Sequence, residues 1–275
     1  MTHALTCVFT ASNSPYLSAE CTGLGNVLFQ IAAVYGVSKE TGRAVEFIDL
    51  KNFTSKLRSL TGVDYMATIF RNMPIHSEFE YTMRCDVNHH YKGNFKQELV
   101  EFVNNNSHNI YLNGHFESPL FFSSCETEMK TMLSPDHESL RYIQSKYPVI
   151  FEKDCCIIHI RTHHPGFMDD VEYIKRAMSQ LPKLTYVVIS NSIEIARKTL
   201  EPLDEEFIFC EDNPDYIDLW IMSLCKYNIM SHSTMSWWGA FLNIHEDKVI
   251  VYPKTMETIY PGPISNLYFK TYTPL

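Results

Sequence analysis

No two of the eight cysteines (Cys7, Cys21, Cys85, Cys125, Cys155, Cys156, Cys210 and Cys225) form a C-x-x-C pair, so the usual spacing of a structural zinc site is missing. There is no G-x-x-x-x-G-K-S/T loop, which excludes P-loop nucleotide chemistry, and no G-x-S-x-G elbow of the α/β-hydrolase kind. Positive charge is short: 23 Lys and Arg stand against 32 Asp and Glu, a net charge of −9. A broad nucleic-acid surface is therefore not expected, and a phosphate-bearing ligand would need a local basic spot or a helix terminus. No uninterrupted apolar run approaches the roughly 18 residues of a membrane span. The opening residues, M-T-H-A-L-T-C-V-F-T, lack the basic region and apolar core of a secretory signal. The expectation is a cytoplasmic protein with reduced thiols, without a transmembrane segment, for which peripheral membrane association stays open. Tandem repeats and low-complexity segments are also missing.

What is present is an ordinary globular composition, 45% hydrophobic and 20% charged over 275 residues, enough for two modest domains. Strand and helix patterns alternate, which predicts an α/β fold with parallel sheets. In the first half a T-G-L-G-N turn precedes apolar residues at helical spacing over Asn26–Lys39, Gly42 closes the helix, and Ala44–Leu50 reads as a strand. That is one Rossmann-type unit. Residues 51–103 read as mixed helices and loops without a site, and the adjacent His89 and His90 point apart. Asn109–Phe116 reads as a strand and Lys130–Tyr147 as one helix ended by Pro148. The second half opens on the apolar run Cys155–Ile160, as in a buried parallel strand. It continues with a helix over Asp169–Leu181, a strand over Tyr186–Ile189, a helix over Ile193–Leu200 and a strand over Glu206–Cys210. A helix over Tyr216–Cys225, a strand over Asn228–Met230, a serine–tryptophan helix and a strand over Lys248–Tyr252 follow. The predicted domains are residues 1–150 and 151–275, with ligand between the C-terminal ends of their strands.

Two stretches carry candidate chemistry. From Cys225 to Leu242 the hydroxyls of Ser231, Ser233, Thr234 and Ser236 precede Trp237 and Trp238. Hydroxyls ahead of an apolar run mark a helix N-terminus, which attracts phosphate; a buried, serine-capped helix accounts for the same residues. At the end of the first strand of the second half, His159 and Arg161 stand at i and i+2 and so share a face. The arginine suits a diphosphate, because its planar fork of donors never loses its charge. The alternative is an Arg161–carboxylate pair with His159 packed in the core. His159, His163 and His164 lack both the helical spacing and the carboxylate partner of a zinc site, so no metal is expected.

These stretches, taken with two others, resemble one family. G-L-G-N-x-x-F-Q-x-A (Gly23 to Ala32), G-H-F-E-S-P-L-F-F (Gly114 to Phe122) and H-I-R (His159 to Arg161) occur in the order of the motifs of glycosyltransferase family 11, the α-1,2-fucosyltransferases. The block from Asp218 through S-H-S-T-M-S-W-W-G-A-F-L, followed by K-V-I-V-Y-P, is similar to that family's C-terminal segment. The resemblance implies a GT-B-like fold of two Rossmann-type halves facing a central cleft. It also implies GDP-fucose as donor and inverting, metal-independent transfer to a hydroxyl, commonly the 2-OH of a terminal galactose on a glycan acceptor. The lack of a D-x-D motif agrees with metal independence. Carried over by residue, Arg161 would contact the β-phosphate, and Ser233, Thr234 and Ser236 would add hydroxyls and N–H groups. His159 and Asn191 belong to the same donor set, as do Gly23, Gly25 and Asn26, which would line the cleft from the other half, Asn26 near the sugar. Arg161, Asn26 and His164 are the catalytic candidates, His164 as base; the tryptophans would pack their helix. The chain departs from the pattern at three places. Thr162, His163 and His164 replace the Arg, Gly and Asp of H-x-R-R-G-D; Ile189–Ser192 replaces F-S-D-D; and Val27 stands for a glutamine. Transfer of another GDP-linked sugar, or glycan or nucleotide binding without catalysis, are the alternatives these changes leave open.

Overall fold

Ten strands and nine α-helices lie along the described residues of the computed structural model, which are 4–6, 23–47, 63–73, 83–86, 95–162, 171–255 and 263–275. They form two units: Met1–Ser134 with Thr258–Tyr268, and Pro135–Glu257 with Phe269–Leu275.

The first unit holds strands β1 (Ala4–Thr6), β2 (Ala44–Val45), β3 (Met83–Asp86) and β4 (Ile110–Asn113) in the order β2-β1-β4-β3, every pairing parallel. Between β1 and β2 runs helix α1 (Leu24–Thr41), as the glycine turn and the apolar spacing predict. Its apolar residues are not a single stripe: Leu24, Val27, Leu28, Phe29, Ile31, Ala32, Ala33, Val34 and Val37 are all buried, so the helix is enclosed on most sides. Gly42 ends it in the left-handed region (φ 68°), its N–H donating to Ser38 O at 2.8 Å. Gly36 lets the helix touch a 3-10 turn at Pro119–Phe122, where a Cβ would meet Phe121 O at 1.9 Å. Helix α2 (Phe95–Asn104) also packs on α1, and Gln30, buried on α1, donates to Gly114 O at 3.0 Å. Residues 48–50 of the expected Ala44–Leu50 strand, and His89 and His90, lie outside the described residues.

The single helix expected over Lys130–Tyr147 is two, α3 (Glu126–Met132) and α4 (His137–Lys146). Pro135 cannot continue a helix, and Asp136 starts a new one by accepting from Ser139 N–H at 2.8 Å. The units divide at this break and not after residue 150. The physical reason lies in α4 and the turn after it: Lys146 Nζ donates to Glu211 O (2.7 Å) and Asn213 Oδ1 (2.9 Å), and Asn213 Nδ2 donates to Tyr147 Oη (3.0 Å). Those bonds bind the segment to the second unit.

After the one-turn helix α5 (Val149–Glu152), the second unit alternates strand and helix as far as β9. In order come β5 (Cys155–Ile160), α6 (Val171–Ser179), β6 (Thr185–Ser190), α7 (Ile193–Leu200) and β7 (Phe207–Phe209). Then follow α8 (Asp215–Leu224), β8 (Tyr227–Ile229), α9 (Thr234–Phe241), β9 (Val249–Tyr252) and β10 (Thr273–Pro274). All six strands are parallel, in the order β10-β9-β8-β5-β6-β7. From β5 the chain builds outward through β6 and β7, then returns to the other side of β5 with β8, which is the Rossmann order with its reversal between β5 and β8. Cys156, Ile158 and Ile160 of β5 pack with Tyr173, Ile174 and Ala177 of α6 and with Ala196 and Leu200 of α7. By strand alternation Cys155, Ile157 and His159 face the opposite layer.

Candidate functional site

In open α/β sheets ligands settle at the C-terminal strand ends where the strand order reverses. In the second unit that point lies between the ends of β5 and β8. His159, the second-last residue of β5, is 5% exposed, and its Nδ1 is hydrogen-bonded at 2.8 Å to Oγ of Ser231, just beyond β8. The bond joins two strand ends 72 residues apart in sequence. The segment after β8 is closed on itself: Ser231 N–H donates to Ser236 Oγ at 3.1 Å, and Ser233 N–H donates to Ser231 O at 2.9 Å. Ser233 is also the cap of α9, its Oγ accepting from Met235 N–H at 3.2 Å. A capped, buried helix is thus part of the answer at this stretch, and the cap stands beside the strand-end junction.

Helix α9 is held by its remaining contacts. Trp237 stacks on Phe241 with centroids 5.2 Å apart and lies edge-on to Trp238, also at 5.2 Å, while Phe269 stacks on Trp237 at 6.1 Å. At its other end Lys248 Nζ donates to Ala240 O (3.1 Å) and Asn243 O (3.2 Å), a cation on the negative end of the helix. Below the junction Asn243 Nδ2 donates to Asn228 Oδ1 (3.1 Å) and Cys225 O (2.7 Å), and Tyr173 Oη donates to Met230 O at 2.9 Å, fixing the end of β8 from α6.

Arg161 follows β5 directly and is partly buried. Burial lowers its guanidinium pKa from the ordinary value, but a guanidinium stays charged at neutral pH. The next residue, Thr162, is fastened to the end of β6. Its N–H donates to Asn191 Oδ1 at 2.9 Å, and Asn191 Nδ2 donates to its Oγ1 at 2.7 Å. A cation, a helix N-terminus and several hydroxyls at one sheet end make a surface that can take an anion. Among the described residues, no three His, Cys, Asp or Glu side chains gather as a metal group would require.

The residues expected from sequence therefore divide. His159, Ser233 and Ser236 stand with Ser231 at the β5–β8 junction; Arg161 and Asn191 stand at the ends of β5 and β6. Thr234 is the first residue of α9. Gly23, Gly25 and Asn26 form the start of α1 in the first unit. There Gly23 is an extended cap without a side chain, Gly25 is buried, and Asn26 N–H donates to Gly23 O at 3.0 Å. His163, His164, Asp169 and Asp170 lie outside the described residues. Sequence reasoning missed Thr162 as a partner of Asn191, and Tyr173 and Asn243 as supports. The one available signal was polar residues placed immediately after apolar strands.

A family model described as "Glycosyl transferase family 11" matches residues 80–259. The chain belongs to glycosyl transferase family 11. The match covers both the β5–β8 junction and helix α9. Among curated family relatives, the O-antigen biosynthesis glycosyltransferase WbnK of Escherichia coli is 38% identical over 88 residues, 32% of this chain and 22% of that protein. An alpha-1,2-colitosyltransferase of Escherichia coli is 30% identical over 90 residues, 32% of this chain and 30% of that protein. Less than a third of either relative's length is matched.

The fold is similar to that of the fucosyltransferase NodZ from Bradyrhizobium, with a TM-score of 0.57 at 12% identity, covering 88% of this chain and 93% of that one. A structure of the NodZ alpha-1,6-fucosyltransferase soaked with GDP-fucose gives 0.54 at 12% identity, covering 88% and 92%. At such identity the likeness is one of fold, and it agrees with the GT-B-like class. Among the described residues no helix is long and apolar enough to cross a membrane.

Proposed function

We propose that this chain transfers L-fucose from GDP-fucose to a sugar hydroxyl, the 2-OH of a terminal galactose, with inversion and without a divalent metal. The observation that carries the reading is the juxtaposition at one sheet end of Arg161, the His159–Ser231 pair and the capped start of α9. Family membership supports it, and the relative named as an alpha-1,2-colitosyltransferase supports the 1,2 linkage alone.

The chemistry follows from charge. The acceptor oxygen attacks the anomeric carbon, the bond from that carbon to the β-phosphate oxygen breaks with its electron pair, and GDP leaves. Negative charge grows on the phosphate, and donors already fixed there lower the barrier without reorganising. Arg161 is assigned that role, with Ser233, Thr234 and Ser236 at the start of α9 beside it. The acceptor proton passes to a base, for which His164 is assigned. The first unit is assigned the acceptor side, with Gly23, Gly25 and Asn26 kept in the donor-binding set and Asn26 near the sugar. A second reading, transfer of another GDP-linked sugar, is favoured by the relative named as a colitosyltransferase.

The test is GDP release from a panel of GDP-sugars with lactose, N-acetyllactosamine and the type 1 disaccharide as acceptors, with and without EDTA. Acceptor-dependent, EDTA-insensitive release from GDP-fucose is expected. Arg161→Ala should lower turnover about a hundredfold or more, as loss of one preorganised donor does, with an unchanged far-UV spectrum. Normal turnover in that variant would remove Arg161 from the mechanism, and release from a different GDP-sugar alone would select the second reading.

A further inference from the structure

Strands β5 and β6 are paired through His159 with Ile189 and Ile160 with Ser190, so the chain leaves both strands side by side at Arg161 and Asn191. There the Asn191 amide uses its oxygen on the Thr162 N–H and its nitrogen on the Thr162 hydroxyl. The N–H it holds belongs to the planar peptide that links Arg161 to Thr162, so fixing that N–H fixes the plane through which Arg161 leaves its strand. We infer that Asn191 is a positioning residue for Arg161, acting through Thr162, and not itself a ligand of the nucleotide.

The inference rests on the assignment of Arg161 to the diphosphate and deepens it. It also explains why two departures from the family pattern occur together. Thr162 stands where H-x-R-R-G-D has its second arginine, and Asn191 stands where F-S-D-D has its first aspartate. These two positions are in contact. A neutral amide and hydroxyl keep two bonds across the strand ends where an arginine and a carboxylate would be a charge-matched pair. The amide has a further consequence, since a carboxylate without an arginine opposite it would set a negative charge beside Arg161 and oppose an anionic ligand.

The experiment is a double-mutant cycle on GDP affinity, measured by calorimetry for the parent, Asn191→Ala, Arg161→Ala and the double variant. Loss of two neutral hydrogen bonds that hold Arg161 should weaken GDP binding about tenfold in Asn191→Ala. In the Arg161→Ala background the same change should add nothing, because there is no arginine left to position. An undiminished loss in that background would make Asn191 a direct ligand, and no loss in the parent background would leave it no role; either overturns the inference. Should Arg161→Ala bind GDP as the parent does, the diphosphate assignment itself is wrong. Amide exchange judges the clamp independently of GDP: the Thr162 N–H should exchange at least about tenfold faster in Asn191→Ala, and equal rates overturn it. Thr162→Val, which keeps the N–H bond and loses the hydroxyl, should fall between the two.

Discussion

Helices α8 and α9 meet where α9 has no side chain, at Gly239, and that contact sets where the serine-rich start of α9 stands. A Cβ on residue 239 would lie 2.5 Å from Met222 Cβ and 2.8 Å from Met222 Sδ. Ordinary carbon contacts lie at about 3.5–4.0 Å, so more than an ångström must be recovered. The sulfur can swing away, but the Met222 Cβ moves only with the backbone of α8. Two terms of opposite sign decide the outcome of Gly239→Ala. Overpacking costs about 1–3 kcal/mol. Alanine in place of glycine inside a helix returns about 1 kcal/mol. Because the Met222 Cβ at 2.5 Å is tied to backbone, the upper part of the overpacking range, about 2–3 kcal/mol, applies. The net expectation is a loss of about 1–2 kcal/mol, which in a chain of this size lowers Tm by about 2–8 °C. A thermal melt followed in the near-UV, where Trp237 and Trp238 report, measures it. The displaced helix carries Ser233 and Ser236 with it, so GDP affinity should fall as well. Gly36→Ala is the stricter comparison, because its Cβ would meet backbone, Phe121 O at 1.9 Å and Phe122 Cα at 2.7 Å, which no rotamer relieves. That variant should lose about 3 kcal/mol or more. A Gly239→Ala protein with an unchanged or higher Tm would show that propensity wins, and that the close approach of α8 and α9 is not what fixes the site.

Two further outcomes concern single groups. Burial, followed by the nearby Cys125, pushes Tyr35 up to about 12 from 10.0, and burial, followed by Glu128, pushes Cys125 up to about 11 from 9.0. Both acids stay protonated in the fold at pH values where the unfolded chain has released the proton. The unfolded state then binds fewer protons, so the first unit should lose stability progressively from about pH 8 to pH 12, and none of that loss should occur below about pH 7. Urea midpoints against pH should flatten in Tyr35→Phe with Cys125→Ala; an unaltered slope would refute the cause. Asp136→Ala removes the acceptor for Ser139 N–H at the start of α4, and should cost about 1 kcal/mol by urea unfolding. A cost near zero would mean that the cap is satisfied by water.

The second unit was the more legible because its central strands β5 and β6 are buried on both faces. A continuous apolar run such as Cys155–Ile160 admits few other conformations, and the structure has a strand over those residues. Helix Ile193–Leu200 likewise falls where its apolar spacing and the preceding Ser190-Asn191-Ser192 place it. The first unit was harder to read. Strand β3 is M-R-C-D, with no alternation to mark it; its pairing with β4 makes it a strand, and pairing is a non-local property. The break at Pro135 was visible in the sequence, but it competes with the helical periodicity on either side. At the site, residue types could be read at strand ends, since polar groups after an apolar run have little else to do. Their partners could not. His159 with Ser231 and Thr162 with Asn191 are contacts made by strand order, and strand order is decided by packing.

That distinction bears on the non-catalytic alternative. In the linear sequence, Thr162 and Asn191 look like two separate losses, a missing arginine and a missing carboxylate, and two losses suggest decay. In the fold they are one contact with both hydrogen bonds made. Removing a positive and a negative charge from the same contact leaves the net charge of that contact unchanged. Decay of a binding site leaves polar groups unsatisfied, which is costly where they are buried. At this junction His159 is bonded to Ser231, and Ser231 to Ser236. Thr162 and Asn191 are one coupled exchange, with both hydrogen bonds made, and the cycle on Asn191 and Arg161 separates that account from decay.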